Sequence, residues 1–228
     1  MSIVIIIILL LLIVFAPQLW TRYIFKRYNV ELSQLPGSGS ELANHLITRF
    51  SLQGVSVEMA KPGDNHYDPL SRKIRLSEDI FNTKSISSVV IAAHEVGHAI
   101  QHQSAYKPLN IRTRLANIVA LSEKIAAMML VAFPFAAILT KLPQLGGILL
   151  FCGIVILFLP VFFHLLTLPV ELDASFNRAL PILENGHYLP ESALPIARKL
   201  LLAAALTYLS ASLASILNFY RWLIFLKR

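Results

Sequence analysis

Hydrophobic and polar positions divide the chain into blocks before any motif is considered. It opens with an uninterrupted apolar stretch, IVIIIILLLLIVFAPQLW, over residues 3–20. About 20 such residues suffice for a helix to cross the hydrocarbon core of a bilayer, so residues 1–21 are expected to form a transmembrane anchor. No basic residue precedes the apolar core and no small-x-small site follows it, which argues against a cleaved secretory signal. Arg22, Lys26 and Arg27 come directly after, and the positive-inside rule then places that end of the helix in the cytoplasm.

Residues 28 to about 107 read as a water-exposed α+β unit, and an α+β catalytic part is expected over 22–124. In PGSGSE, Ser40 is a candidate cap for a helix reaching about Gln53, with Gly54 to end it. VSVEM and RKIRLS alternate apolar and polar positions around the turn KPGDN, predicting a short sheet. Ser77 and Ser85 are candidate caps for the helices that follow, and Pro108 is expected to stop the second of them. Two short strands hold little core alone, so they must pack on helices or against the membrane.

Two further apolar stretches, about 125–140 and 145–168, are separated by KLPQLGG, where Lys141 is the only charge. They predict a transmembrane hairpin over 125–168. The remainder, 169–228, begins with the polar segment LPVELDASFNRAL and ends in a run over 200–226 rich in Ala and Ser. Small residues permit close helix packing in a bilayer bundle, so this run either crosses as a fourth span or packs beside the catalytic part. Basic residues lie at both of its ends (Arg198 and Lys199; Lys227 and Arg228), so the charge rule does not orient it.

Composition agrees with this division. Of 228 residues, 56% are hydrophobic and 14% charged, against about 25% charged in soluble domains. The net charge is +7, yet no dense Lys/Arg run or basic helix with interleaved aromatics is present. The cations read as flanks of membrane spans rather than a nucleic-acid surface. The one cysteine, Cys152, lies in an apolar run, which excludes an intramolecular disulfide and a thiolate metal cluster and is compatible with a reducing compartment. The fold class expected is therefore a mainly α integral membrane protein carrying a small α+β unit.

The chemistry is concentrated in AAHEVGHAIQ, residues 92–101. On a helix, His94 and His98 differ by about 40° around the axis and about 6 Å along it, so one ion fits between them. Glu95 lies about a quarter turn away, beside such an ion rather than on it. Zinc takes N, O and S ligands, and a catalytic site keeps one position for water, whose proton a neighbouring carboxylate accepts. HExxH also arises by chance in helices that bind nothing. Here the flanks, IAA and AIQ, are uncharged and Gly97 admits a close neighbour, as a buried site requires.

A third ligand is needed. His102 sits about 12 Å along the axis from His94, too far to share an ion, and reads as a rim residue. His164 lies in an apolar span, either functional or packed there, while His66 and His187 fall in loops and read as surface residues. Glu171 fits best. It follows Pro169, where a helix can start, it is bracketed by apolar residues, and two spans separate it from His98. An even number of crossings returns the chain to the same face of the membrane.

AAHEVGHAIQ, LPVELDASFNRAL and HYDP together resemble the YugP-type membrane zinc peptidases, a prokaryotic family of neutral zinc metallopeptidases, over nearly the whole chain. More distantly, the arrangement is similar to HtpX-like and CAAX-prenyl endopeptidases, which place a membrane hairpin between HExxH and a glutamate ligand in E-x-x-A-D. The resemblance implies a gluzincin-like metallopeptidase unit with one zinc ion per chain. Its ligands would be His94, His98 and Glu171, with Glu95 as general base. It departs at Ser175, where the wider group has aspartate; Asp173, two residues earlier, is the candidate to replace it in orienting a ligand histidine.

In zinc peptidases of this kind an edge strand pairs with extended substrate, a role KIRLS could take by strand addition. Tyr67 or His66 is a candidate oxyanion donor, or a shaper of the turn before that strand. The expected function is an integral membrane zinc metalloendopeptidase of the prokaryotic plasma membrane, its site on the cytoplasmic side and its partners the bilayer and a peptide or membrane-protein substrate. The alternative is a zinc-stabilised scaffold or chaperone partner, against which the presence of Glu95 argues.

Overall fold

The computed structural model describes the backbone of residues 2–226, and side chains within 12–214 apart from positions 13, 14, 123, 137, 143, 157 and 213. Helix α1 runs Ser2–Arg27. The anchor expected at 1–21 is thus helical, although most of its first side chains, and the terminal Lys227 and Arg228, lie outside the described residues.

Helix α2, Gly39–Arg49, is capped by Ser38 rather than Ser40. The reason is the capping box: Glu41 stands three residues after Ser38, its carboxylate accepting from Ser38 N at 2.7 Å while Glu41 N donates to Ser38 Oγ at 3.4 Å. Ser40 donates instead to Phe81 O at 2.8 Å. The helix also ends at Arg49, short of Gln53, and Ser51 turns the chain with φ 49°.

Strands β1 (Ser56–Ala60), β2 (His66–Asp68) and β3 (Lys73–Ser77) form one sheet in the order β1-β3-β2. β1 lies parallel to β3, with Val57 opposite Ile74; β2 lies antiparallel, with Tyr67 opposite Ile74. KIRLS is therefore the central strand, not an edge, and β2 is an edge strand absent from the two-strand expectation. Ile74 and Leu76 of β3 are fully buried, and they pack in one core with Leu46 of α2 and Val90 and Val96 of the metal-motif helix.

Ser77 starts a short helix, α3 (Glu78–Phe81), but makes no side-chain cap bond. Ser85 does cap α4, Ile86–Gln103, by accepting from Ser88 N. The start of α4 is tied to the end of α1: Ser87 Oγ donates to Phe25 O at 2.7 Å and Ser85 Oγ to Asn29 Oδ1 at 2.5 Å. α4 stops at Gln103, before Pro108, which instead occupies the first turn of α5, Lys107–Thr140. Proline is tolerated there because its missing N–H has no intrahelical partner in a first turn. The boundary expected at 124/125 falls inside this continuous helix.

Lys141 closes α5 in the left-handed conformation, φ 53°, and Pro143 opens α6, Pro143–Leu157, which packs back along α5. This is the hairpin the apolar pattern predicted. Helix α7, Leu159–Leu172, continues the second arm with Pro169 inside it rather than at a start. It passes into a π-helical turn, Asp173–Ala179, then α8, Leu180–Asn185. The last helix, α9, Leu194–Leu226, packs on α1 and α7 and also touches α4.

Among the described residues three segments are long and apolar enough to cross a membrane, Lys107–Thr140, Gln144–Asn185 and Glu191–Ser212. Ile138, Leu139, Phe151 and Phe162 project outward from them, each more than three-fifths exposed. Apolar side chains in such numbers suit contact with lipid rather than water. For the last run, α9 packs beside α4 and contains a segment, Glu191–Ser212, long and apolar enough to cross a membrane.

Candidate metal centre

His94 and His98 project from α4 into the interior, 8% and 6% exposed. Their rings stand edge to face with centroids 4.7 Å apart, as the i, i+4 spacing requires. Glu171, at the end of α7, is 1% exposed. Its Oε2 lies 3.2 Å from His94 Nε2 and 3.4 Å from His98 Nε2. Ligands about 2.0–2.1 Å from a tetrahedral ion are roughly 3.3–3.4 Å apart, so both separations match two edges of a zinc tetrahedron. One atom from each residue lies within 4.8 Å of the others, a group that could hold a metal ion.

α4 and the segment after Glu171 meet at Gly97. A Cβ there would lie 2.8 Å from Ala174 O, so any larger residue would hold the two backbones apart. Two further side chains are aimed at the ligands, Ser175 from the π-helical turn and Gln101 from α4. Ser175 Oγ lies 3.2 Å from His94 Nδ1. Gln101 is fully buried, its Oε1 2.9 Å from His98 Nδ1. Gln101 Nε2 donates to Val170 O and to Asp173 Oδ2, each at 2.8 Å. Both imidazoles are therefore held through Nδ1, which turns each Nε2 toward Glu171; partners of this kind set ring orientation in metal sites.

Ser175 thus occupies the orienting position directly, where the wider group has aspartate. Asp173 acts one bond further out, through Gln101, and also accepts from Arg178 Nε at 2.8 Å. The Gln101 signal was in the spacing, since Gln101 follows His98 by three and shares its helical face; Ser175 meets His94 from 81 positions away. Arg112 gave no such signal. It comes from α5, with Nη1 3.0 Å from Glu171 Oε1, and that oxygen has no aligned hydrogen bond.

Electrostatics favour a charged ring at this place in the ion-free protein. Burial opposes protonation of His98, but the adjacent Glu171 carboxylate outweighs it and raises the pKa above the ordinary histidine value. A divalent cation would meet the same field. The donor set therefore fits zinc: two imidazoles, one carboxylate oxygen and no fourth protein ligand among the described residues.

Glu95 is 6% exposed. It lines a cavity of about 780 Å³ together with His94, Glu171, Asn65, Ser77 and Tyr208. Phe25 on α1 and Leu201 and Ala204 on α9 form its far wall, with Arg22 and Lys26 also lining it.

Other candidates are placed elsewhere. The Tyr67 hydroxyl is 2.8 Å from His102 Nδ1, and the pair lines a separate pocket with Arg72. Burial pushes Tyr67 up to about 12, and burial followed by the Arg72 charge lowers His102, so both are neutral near pH 7. His66 faces outward between Asp64 and Arg75. Neither Tyr67 nor His66 is among the residues lining the cavity that holds Glu95. His164 and His187 stand outside the metal group.

The chain is 35% identical to the "Putative membrane protease YugP" of Bacillus subtilis (strain 168) over 206 residues, covering 89% of this chain and 87% of that protein. No solved structure matches it. A family model described as "Putative neutral zinc metallopeptidase" matches residues 3–227. With two imidazoles and a carboxylate converging at zinc spacing and a match along almost its full length, the chain belongs to that family of zinc metallopeptidases.

Proposed function

We propose that this protein is a membrane-embedded zinc metalloendopeptidase in which His94, His98 and Glu171 hold one zinc ion and Glu95 is the general base, built on a gluzincin-like unit. The observation that carries the reading is the placement of Glu95. It shares a helix turn with His94 yet stands outside the three-ligand group, and it lines the same cavity. A carboxylate in a purely structural site has no reason to be held there.

Zinc bound at this group supplies a Lewis acid that acidifies a water and polarises the scissile carbonyl. Glu95 accepts the proton of the attacking water and returns it to the leaving nitrogen, a transfer that needs a carboxylate within hydrogen-bond reach of both. Ser175 and Gln101 keep the two Nε2 atoms directed at the ion. Substrate reaches Glu95 through the cavity between α4 and the wall formed by α1 and α9. Because that wall is made by apolar helices, the substrates that suit it are membrane proteins or unfolded segments close to the bilayer. An extended substrate that adds a strand would meet one of the edge strands, β1 or β2, rather than the central β3. The basic residues after α1 support a site on the cytoplasmic side, and the Bacillus subtilis relative named a membrane protease supports a prokaryotic plasma-membrane location.

The Glu95→Gln variant tests the assignment, with zinc content and cleavage of an unfolded protein measured on one preparation. Zinc stays near one per chain while cleavage is abolished. A variant that cleaves normally removes Glu95 as the base, and a wild-type protein that binds zinc but cuts nothing leaves the scaffold reading in its place.

A further inference from the structure

Glu171 is nearly sealed from solvent, and its two oxygens have different neighbours. Oε2 faces both imidazoles. Oε1 faces the Arg112 guanidinium at 3.0 Å. Arg112 lies on the second turn of α5, its side chain about a quarter exposed. The Tyr208 ring, 5.7 Å from the guanidinium carbon, holds it from the other side.

A cation here is not explained by metal affinity, since a guanidinium beside a divalent ion repels it. What it can do is occupy one carboxylate oxygen. A buried carboxylate with both oxygens free can grip an ion through both, and the second oxygen then adds a fifth ligand beside the water that a four-coordinate hydrolytic site keeps. We infer that Arg112 is a positioning residue that holds Glu171 Oε1 away from the metal, so that Glu171 is a one-oxygen ligand and the site stays four-coordinate. The inference rests on the proposed role of Glu171 as a ligand. It assigns Arg112 a function in which some binding strength is given up for a four-coordinate site.

The test replaces zinc with cobalt(II) in the full-length, detergent-solubilised protein and reads its visible absorption, which is strong for four ligands and weak for five or six. Arg112→Gln is expected to bind cobalt and zinc at least as tightly as wild type, to show weakened visible bands, and to lose about 10- to 100-fold in kcat, the range typical for partners of metal ligands. Arg112→Lys restores a cation beside Oε1 and with it part of the wild-type spectrum. Tyr208→Leu removes the ring beside the guanidinium and moves the spectrum the same way by less, while Tyr208→Phe, which keeps that ring and loses only the hydroxyl beside Glu171, keeps the wild-type spectrum; this pair keeps the test available if Arg112→Gln does not fold.

A merely structural role predicts the opposite pattern: weaker metal binding with the spectrum of the remaining bound ion unchanged. Either that pattern or a wild-type spectrum in both Arg112→Gln and Tyr208→Leu overturns the inference while leaving the metal site standing. Glu171→Ala separates the two ideas. If it keeps full metal affinity and the wild-type spectrum, Glu171 is not a ligand and both fall together.

Discussion

Replacing Gly97 with alanine is the sharpest probe of how the site is assembled, because it touches no ligand. The added methyl would start 2.8 Å from the carbonyl oxygen of Ala174. Ordinary carbon contacts begin near 3.5 Å, so α4 and the π-helical turn must separate by about 0.7 Å. Both partners are backbone and neither can swing aside. Metal sites tolerate ligand displacements of about 0.2 Å, so the gap opens the spacing between the imidazoles and Glu171 well past that limit. Zinc affinity should fall by about 10- to 100-fold, as when other supports of a ligand are removed. Overpacking should also cost about 1–3 kcal/mol in the stability of the metal-free protein.

The assay is competition with a chromophoric chelator in detergent, paired with thermal unfolding of the stripped protein. Gly147→Ala is the matched control, since a Cβ at Gly147 meets nothing within 4 Å and should leave zinc affinity unchanged. Zinc binding within twofold of wild type in Gly97→Ala would refute the view that this close backbone approach sets the ligand geometry.

Three further outcomes are expected. Glu171→Ala should lose zinc by elemental analysis, and full retention would remove the third ligand. A cysteine placed at the exposed Lys61, in a chain with Cys152 replaced, should resist an impermeant thiol reagent in intact cells and react after lysis; ready labelling from outside reverses the topology. Acid stability should depend on Asp68, whose carboxyl is held near a pKa of about 2 by the Ser71 hydroxyl, with the Leu70 amide and Arg75 assisting. A folded pKa below the unfolded value of about 3.9 means that its contribution is complete above that value and is lost as pH falls toward 2. Unfolding midpoints of Asp68→Asn should therefore be lower than wild type at neutral pH and converge with it between about pH 4 and pH 2.

Much of the site was legible along the chain because its signals are local. A spacing of four between His94 and His98 gives them a shared helical face, and the run lengths on either side of Lys141 predict an out-and-back pair of spans. Glu171 could be reached from these by counting crossings, since the alternation of membrane faces is a topological rule that needs no coordinates. Cap positions were less secure. Ser40 and Ser38 are equally good caps by residue type, and only the reciprocal bond with Glu41 chooses between them. The three-residue strand His66–Asp68 was too short for its alternation to register, and adding it moved KIRLS from the sheet edge to its centre.

By itself, then, the order of residues determined the helix that carries HExxH, the apolar segments and Glu171 as the best candidate to rejoin that helix. Only the tertiary structure decided what faces the ligands from elsewhere: Ser175 on His94, Gln101 tying His98 to Asp173, Arg112 on Glu171, and the backbone contact at Gly97. The physical reason is range. Helical periodicity and hydrophobic run length act over a few residues and leave a trace in the pattern. A cation 59 positions from its carboxylate is brought to 3.0 Å by the packing of α5 against α7, and nothing in either segment alone encodes that meeting.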